Sequence, residues 1–110
     1  MQDENKRLQE LRLGLIDEEF TELKDALDDN DIVEVADAIS DLLYVVLGTA
    51  ISYGIPIDKV FEEVHRSNLS KLDANGKPIR REDGKILKGP NFFEPQPGII
   101  RILREHGGKL

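Results

Sequence analysis

The run from Asp31 to Tyr53 constrains this chain most. It is the most apolar stretch of the molecule, yet its first half carries Glu34, Asp37 and Asp41. These acids stand three and four residues apart, so a helix places them on one face. The opposite face is Ile32, Val35, Ala36, Ile39, Leu42, Leu43, Val46 and Ala50. Beyond Leu42 the acidic face itself turns apolar through Tyr44, Val45 and Gly48. A helix apolar all round is expected to be covered on both sides. The three acids thus stand at one end of a stripe whose other end packs against something. Carboxylates in such a place are costly unless they serve a purpose.

The flanking segments also read as helices. From about Asp3 to Leu27, Leu13, Ile16, Phe20, Leu23 and Leu27 follow helical spacing, with Leu8, Leu15 and Ala26 to one side. Glu19 and Glu22 flank that second strip. Gly14 is expected to mark a bend or the close approach of another helix. The polar break Asp28 to Asp31 offers Asn30 or Asp31 as an N-cap. Gly54 is a natural left-handed cap for the second helix, with Pro56 close behind. A third helix starts near Ile57, with Ile57, Val60, Phe61 and Val64 as its stripe, and that stripe continues onto Asn68 and Lys71.

From Asp73 the character changes. Asn75-Gly76 and Asp83-Gly84 are turn dipeptides, and the segments 78–81 and 85–88 read as a short β-hairpin. Residues 89–97 are Pro-rich and irregular. Pro97-Gly98 opens a last short helix from Ile99 to about His106, stopped by Gly107-Gly108. The expected class is all-α in a single domain over residues 1–110, with a core at about 8–72 and a tail at 73–110. A helical hairpin and a third helix carry the core.

Charge narrows the function. There are 22 acids against 15 bases, a net charge of −7. That argues against nucleic-acid polymers and anionic membranes as partners. The absence of cysteine excludes disulfides and thiolate catalysis. No stretch is expected to span a membrane, the Leu42–Ile51 run having the length of a core helix. The polar N-terminus lacks the apolar core of a signal peptide, so the expected compartment is the cytoplasm.

The chemistry lies in two acidic motifs. Glu18-Glu19-x-x-Glu22 is on the first helix, and Glu34-x-x-Asp37 followed by Asp41 is on the second. An antiparallel hairpin across the short break brings up to six carboxylates to one end. Bare convergence is repulsive and raises pKa values; divalent cations remove that penalty. Hard oxygen donors without His or Cys select Mg²⁺, with Mn²⁺ as a substitute, over Zn²⁺ or copper. The competing account is that these acids complement helix N-termini or form a solvated face. A di-iron bundle needs paired Glu-x-x-His motifs, and only Glu62-x-x-His65 exists. Asn68, Lys71 and the basic hairpin residues Arg80, Arg81, Lys85 and Lys88 are the cationic counterpart a polyphosphate needs. Ordinary surface charge is the favoured account of the hairpin residues, while for Asn68 and Lys71 it weighs evenly with a substrate role. In Asn91-Phe92-Phe93, an aromatic ring can stack on a base and Asn91 can read its edge, or the ring can anchor the loop.

Together these residues resemble a known family. Glu18-Glu19-Phe20-Thr21-Glu22-Leu23 and Glu34-Val-Ala-Asp37-Ala-Ile-Ser-Asp41 look like the EExxE…ExxD signature of the MazG-like nucleotide pyrophosphohydrolases. More narrowly, the chain resembles the small branch related to phosphoribosyl-ATP pyrophosphohydrolase. Asn68-Leu-Ser-Lys71 and Asp83-Gly-Lys85-Ile-Leu-Lys88-Gly-Pro-Asn91-Phe92 are similar to that branch too. The resemblance covers about residues 10 to 97. Relatives usually carry a further helix where this chain has a short polar lead before Leu11.

The resemblance implies a four-helix-bundle-type core built by dimerisation, hence a homodimer or homotetramer. It implies Mg²⁺-dependent hydrolysis of ribo- or deoxyribonucleoside triphosphates to the monophosphate and pyrophosphate. Phosphoribosyl-ATP is the alternative substrate, and a non-catalytic helical dimerisation module is the alternative class. Carried over by position, Glu19, Glu22, Glu34 and Asp37 are direct metal ligands. Glu18 orients or deprotonates the attacking water. Asp41 is a supporting or additional ligand. Asn68, Lys71 and Lys88, with Asn91 and Phe92 in the tail, contact the substrate.

Overall fold

The computed structural model describes residues 2–72 and 75–107. The chain divides into two compact units, Met1–Tyr53 and Gly54–Leu110. The first is a helical hairpin of α1 (Gln2–Asp28) and α2 (Ile32–Ser52). The expected helices are therefore present, and α1 also takes up the polar lead before Leu11.

The connection is short because its residues suit it. Asn30 adopts a left-handed φ of 53°, a conformation that Asn tolerates better than most residues. Its N–H donates to the Leu27 carbonyl at 3.1 Å. Asp31 then caps α2: its Oδ1 accepts from the N–H groups of Val33 at 3.1 Å and Glu34 at 3.3 Å. At the other end Tyr53 is the C-cap, and Gly54 follows with φ 66°, as its lack of a Cβ permits.

The two helices pack on each other through one strip each. On α1 the less exposed residues include Leu8, Arg12, Leu15, Glu19, Leu23 and the buried Ala26. On α2 they include Val35, the buried Ala38, Leu42, Val45 and Thr49. Both sets step by three and four, as a helix face requires. The stripe that sequence spacing favours as the core of α1 is covered only in part, at the half-buried Ile16 and Leu23. Leu13 is 64% exposed, and Phe20 and Leu27 are exposed as well. On α2 the apolar face divides: Val35 and Leu42 are half-buried and Ala50 is buried, while Ile32 is 77% exposed and Ile39, Leu43 and Val46 are exposed, as are Tyr44 at 81% and Ile51 at 77% in the lower half. The physical reason is simple: two helices cover one strip of each other, and this unit holds no third layer.

Two further expectations change. Gly14 lies inside an uninterrupted α1 and faces no neighbour, since nothing among the described residues lies within 4 Å of where its Cβ would stand. And α2, at 21 residues, is by length and composition long and apolar enough to cross a membrane. The Leu42–Ile51 run understates it, because the apolar residues of its first turns extend the span. Glu34, Asp37 and Asp41 fall inside that length. Each aspartate would cost about 2.5–3.5 kcal/mol at a bilayer centre.

The second unit holds α3 (Ile57–Leu69), strands β1 (Ile79–Arg80) and β2 (Ile86–Leu87), and α4 (Gln96–Ile102) running into a π-helical turn, Leu103–Gly107. The strands pair antiparallel, with Ile79 opposite Leu87 and Arg80 opposite Ile86, so the expected hairpin is formed. The last helix begins three residues earlier than expected. Its expected stop includes Gly108, which lies outside the described residues, as does Asp73, where the tail was expected to start. Glu63 is buried, paired with Arg66, and its carboxylate lies against Gly98 at the start of α4. Ser67, only 2% exposed, donates to the Phe93 carbonyl at 2.9 Å, and the Phe93 N–H donates to Ser70 Oγ at 3.1 Å. That pair of bonds ties the aromatic loop to the end of α3.

Replacing Asp31 by alanine removes the two N-cap hydrogen bonds of α2. The expected loss is about 1 kcal/mol, read as a lowered midpoint in urea denaturation. An unchanged midpoint would show that water replaces the cap without cost.

Candidate metal centre

The hairpin turns the two acidic motifs towards each other. Near the turn, Ala26 and Ala38 are the buried residues of the two helices, and their small side chains leave space between the backbones. A cavity of about 350 Å³ opens there, lined by Glu22, Asp25, Asp29, Glu34 and Asp37 with those two alanines as its floor. Slightly further from the turn, Glu19, Glu22 and Asp41 each bring a carboxylate oxygen within 4.8 Å of the others. Glu22 belongs to both groups and joins them.

Among the described residues, Glu19 Oε2 is the buried side-chain atom that finds no hydrogen-bond partner. Its position explains why its carboxyl is pushed above the ordinary glutamate value of 4.5. Loss of solvent is the largest cause. A hydrogen bond with the Glu22 side chain follows, then the negative charges of Glu22, Asp41 and Glu18. An unpartnered buried carboxylate oxygen, facing two more carboxylates, is a place that a cation would stabilise. All donors are oxygen, and no His or Cys approaches among the described residues of the cluster. The set fits Mg²⁺ or Mn²⁺.

The structure distributes the expected residues unevenly. Glu19, Glu22 and Asp41 converge; Glu34 and Asp37 line the adjoining cavity with Glu22. Glu18 is exposed and acts on the cluster through its charge on Glu19. Asp25 and Asp29 escaped the sequence analysis, although the signal was present. They follow Glu22 at three and seven residues, the same helix face.

The expected substrate residues all lie in the second unit. Lys88 Nζ stands over the Phe92 ring, 4.8 Å from its centroid, and 3.5 Å from a Glu94 carboxylate oxygen. Phe92 is half-buried and Asn91 exposed. Asn68 is exposed and Lys71 half-buried, so the expected takeover of a buried stripe by both residues is only partly correct. α3 ends at Leu69, which ends the helical spacing before Lys71; the buried polar residue there is Ser67.

The family model for phosphoribosyl-ATP pyrophosphohydrolase matches residues 2–68. Among solved structures, the chain is similar to a proposed NTP pyrophosphohydrolase from Exiguobacterium sp. 255-15, with 27% sequence identity and a TM-score of 0.63. The match covers 88% of this chain and 60% of that one. No curated protein matches the chain.

The raised carboxyl of Glu19 gives a signed pH dependence. Without metal, the folded protein keeps a proton that the unfolded chain releases near its ordinary value of 4.5. Stability from this group is therefore complete below that pH and is lost as pH rises through the higher folded value. Thermal melts in chelator should fall over that interval. Glu19→Gln should flatten the fall and raise the melting temperature at neutral pH. Equal pH profiles for the two proteins would remove Glu19 from this role.

Proposed function

The chain belongs to the phosphoribosyl-ATP pyrophosphohydrolase family, and on that premise we propose that it hydrolyses a nucleoside triphosphate to the monophosphate and pyrophosphate with the help of Mg²⁺. One observation carries the proposal. Three carboxylates meet within 4.8 Å, and the buried oxygen among them has no donor. A solvated acidic face would leave no carboxylate oxygen buried in that way.

A bound divalent cation supplies charge neutralisation and polarisation of phosphate oxygens. The protein supplies position. Glu19, Glu22 and Asp41 would hold the cation from the two helices. Glu34 and Asp37, with Asp25 and Asp29, surround a cavity whose charge demands cations before a polyphosphate can enter. Glu18, exposed beside Glu19, is assigned to the attacking water. Water adds across the bond between the α- and β-phosphates: its oxygen joins phosphorus, its proton passes to a carboxylate, and pyrophosphate leaves. Substrate contacts by Asn68, Lys71, Lys88, Asn91 and Phe92 rest on their chemistry: cations for phosphates, an amide and a ring for the nucleoside.

Phosphoribosyl-ATP is the second substrate considered, because the matching family takes its description from it. Both substrates present the same anhydride bond. The chain spans 60% of the length of the solved relative it matches.

The apolar faces supply the argument for a second copy. Ile32, Ile39, Leu43 and Val46 lie open along α2, and Leu13, Phe20 and Leu27 along α1. Pairing two hairpins through them builds a four-helix bundle and removes that area from water, at roughly 25 cal/mol per Å². The proposed state is a homodimer or a dimer of dimers.

Product-resolved assays of ribo- and deoxyribonucleoside triphosphates and phosphoribosyl-ATP, with and without Mg²⁺, test the activity. Monophosphate and pyrophosphate are expected, and diphosphate with orthophosphate would sink the cleavage position. Glu22→Gln should lower kcat by about 100-fold; full rate would take Glu22 out of the site. Light scattering tests the assembly: Leu43→Glu should halve the mass in solution or more, and an unchanged mass would move the interface elsewhere.

A further inference from the structure

Seven residues before Glu19, α1 carries Arg12, whose side chain crosses to α2. Its Nε donates to Thr49 Oγ1 at 3.0 Å, and its Nη2 donates to the Val45 carbonyl oxygen at 2.9 Å. Thr49 Oγ1 donates to the same carbonyl at 2.7 Å. The guanidinium lies over Gly48, where a Cβ would stand 2.7 Å from Nη2. An arginine, a threonine and a glycine thus form one fitted joint between the helices. Only a planar fork reaches both acceptors at once; lysine offers a single point donor.

The level of this joint is informative. At 1.5 Å per residue, Arg12 and Glu19 are roughly 10 Å apart along α1. On α2, Asp41 and the midpoint between Val45 and Thr49 are roughly 9 Å apart. The two distances match within a residue's rise. When Arg12 is seated, Glu19 comes level with Asp41. The acids lie between two pins, the Asp31-capped turn on one side and Arg12 on the other. They also repel one another, and that repulsion opposes the packing of the helices where Glu19, Glu22 and Asp41 meet.

We propose that Arg12, seated on Val45, Thr49 and Gly48, is a positioning residue that fixes the register and rotation of α1 against α2, so that the Glu19, Glu22 and Asp41 carboxylates share one cation. It touches neither substrate nor reacting atoms. Its role in turnover rests on the pyrophosphohydrolase proposal above; its role in convergence of the acids does not.

The experiment separates these. The chain has no cysteine, so Glu19→Cys with Asp41→Cys gives a single thiol pair at the convergence point. A short thiosulfonate cross-linker reads their proximity with no reference to metal or catalysis. Cross-linking should slow several-fold when Arg12→Met is added, less with Thr49→Val, and not at all with Arg7→Met, an exposed cation on the same helix. In the protein with its acids intact, free Mn²⁺ measured by electron paramagnetic resonance should show binding weakened about tenfold or more by Arg12→Met. kcat should fall with it while KM changes less. Arg12→Lys should recover little, because charge without the fork does not seat.

Circular dichroism checks folding; if Arg12→Met loses helix, Thr49→Val and Gly48→Ala carry the comparison. Equal cross-linking rates and equal Mn²⁺ affinity across these variants would overturn the proposal. Cross-linking that depends on Arg12 in a protein that neither binds Mn²⁺ nor cleaves nucleotides would uphold the joint and sink the activity.

Discussion

The structure of the helical hairpin depends on mutual repulsion held in check. Glu19, Glu22 and Asp41 meet in a strip that also has to pack two helices together. Most helix pairs fill such a strip with apolar side chains. Here part of it is carboxylate, one oxygen of which is buried without a donor. The cost is met by features on either side of it. The capped turn ties the helices at one end, and the arginine joint ties them further along. Rigidity is thus a condition of the site rather than a by-product of it.

That division of the strip explains the exposure of the rest. A helix has a limited circumference. If the face turned to its neighbour is spent partly on acids, the apolar residues have to lie on other faces. Leu13, Phe20 and Leu27 on α1, and Ile32, Ile39 and Leu43 on α2, do so. Such a surface is far beyond what scattered single apolar residues require. The proposed pairing with a second hairpin would cover that surface.

Much of this was legible in the residues. Helix limits, the Asp31 cap, the Gly54 turn and the β-hairpin follow from local chemistry, which acts within a few residues. The facing of the acidic motifs followed from one added premise, a short turn that folds α2 back on α1. What spacing alone missed was which stripe meets which. On α1, Leu13–Phe20–Leu27 and Leu8–Leu15–Ala26 both have helical period. Apolar content favours the first, yet the hairpin covers the second together with Leu23 and leaves Leu13, Phe20 and Leu27 exposed. Periodicity counts apolar residues; it does not know whether the covering layer belongs to the same chain. Arg12 and Asp25 were missed for a related reason: a charged residue on a helix reads as solvated until its partner is known.

Gly48 and Gly14 show how far the same residue type can differ in meaning. Both interrupt strong helix formers at a cost of roughly 1 kcal/mol relative to alanine. Gly14 stands in open space within its unit, while Gly48 lies under the Arg12 guanidinium. From sequence, Gly14 looked the more conspicuous, being framed by Leu13 and Leu15. Gly48 looked like one more small residue in an apolar run. The difference arises on the other helix, where an arginine two turns before the first acidic motif reaches across. A side chain at 48 is therefore tied to the acids through Arg12, although it is seven residues beyond Asp41. The apolar lower half of α2 is thus more than a surface for cover: its backbone carries the seat that keeps the upper half in register.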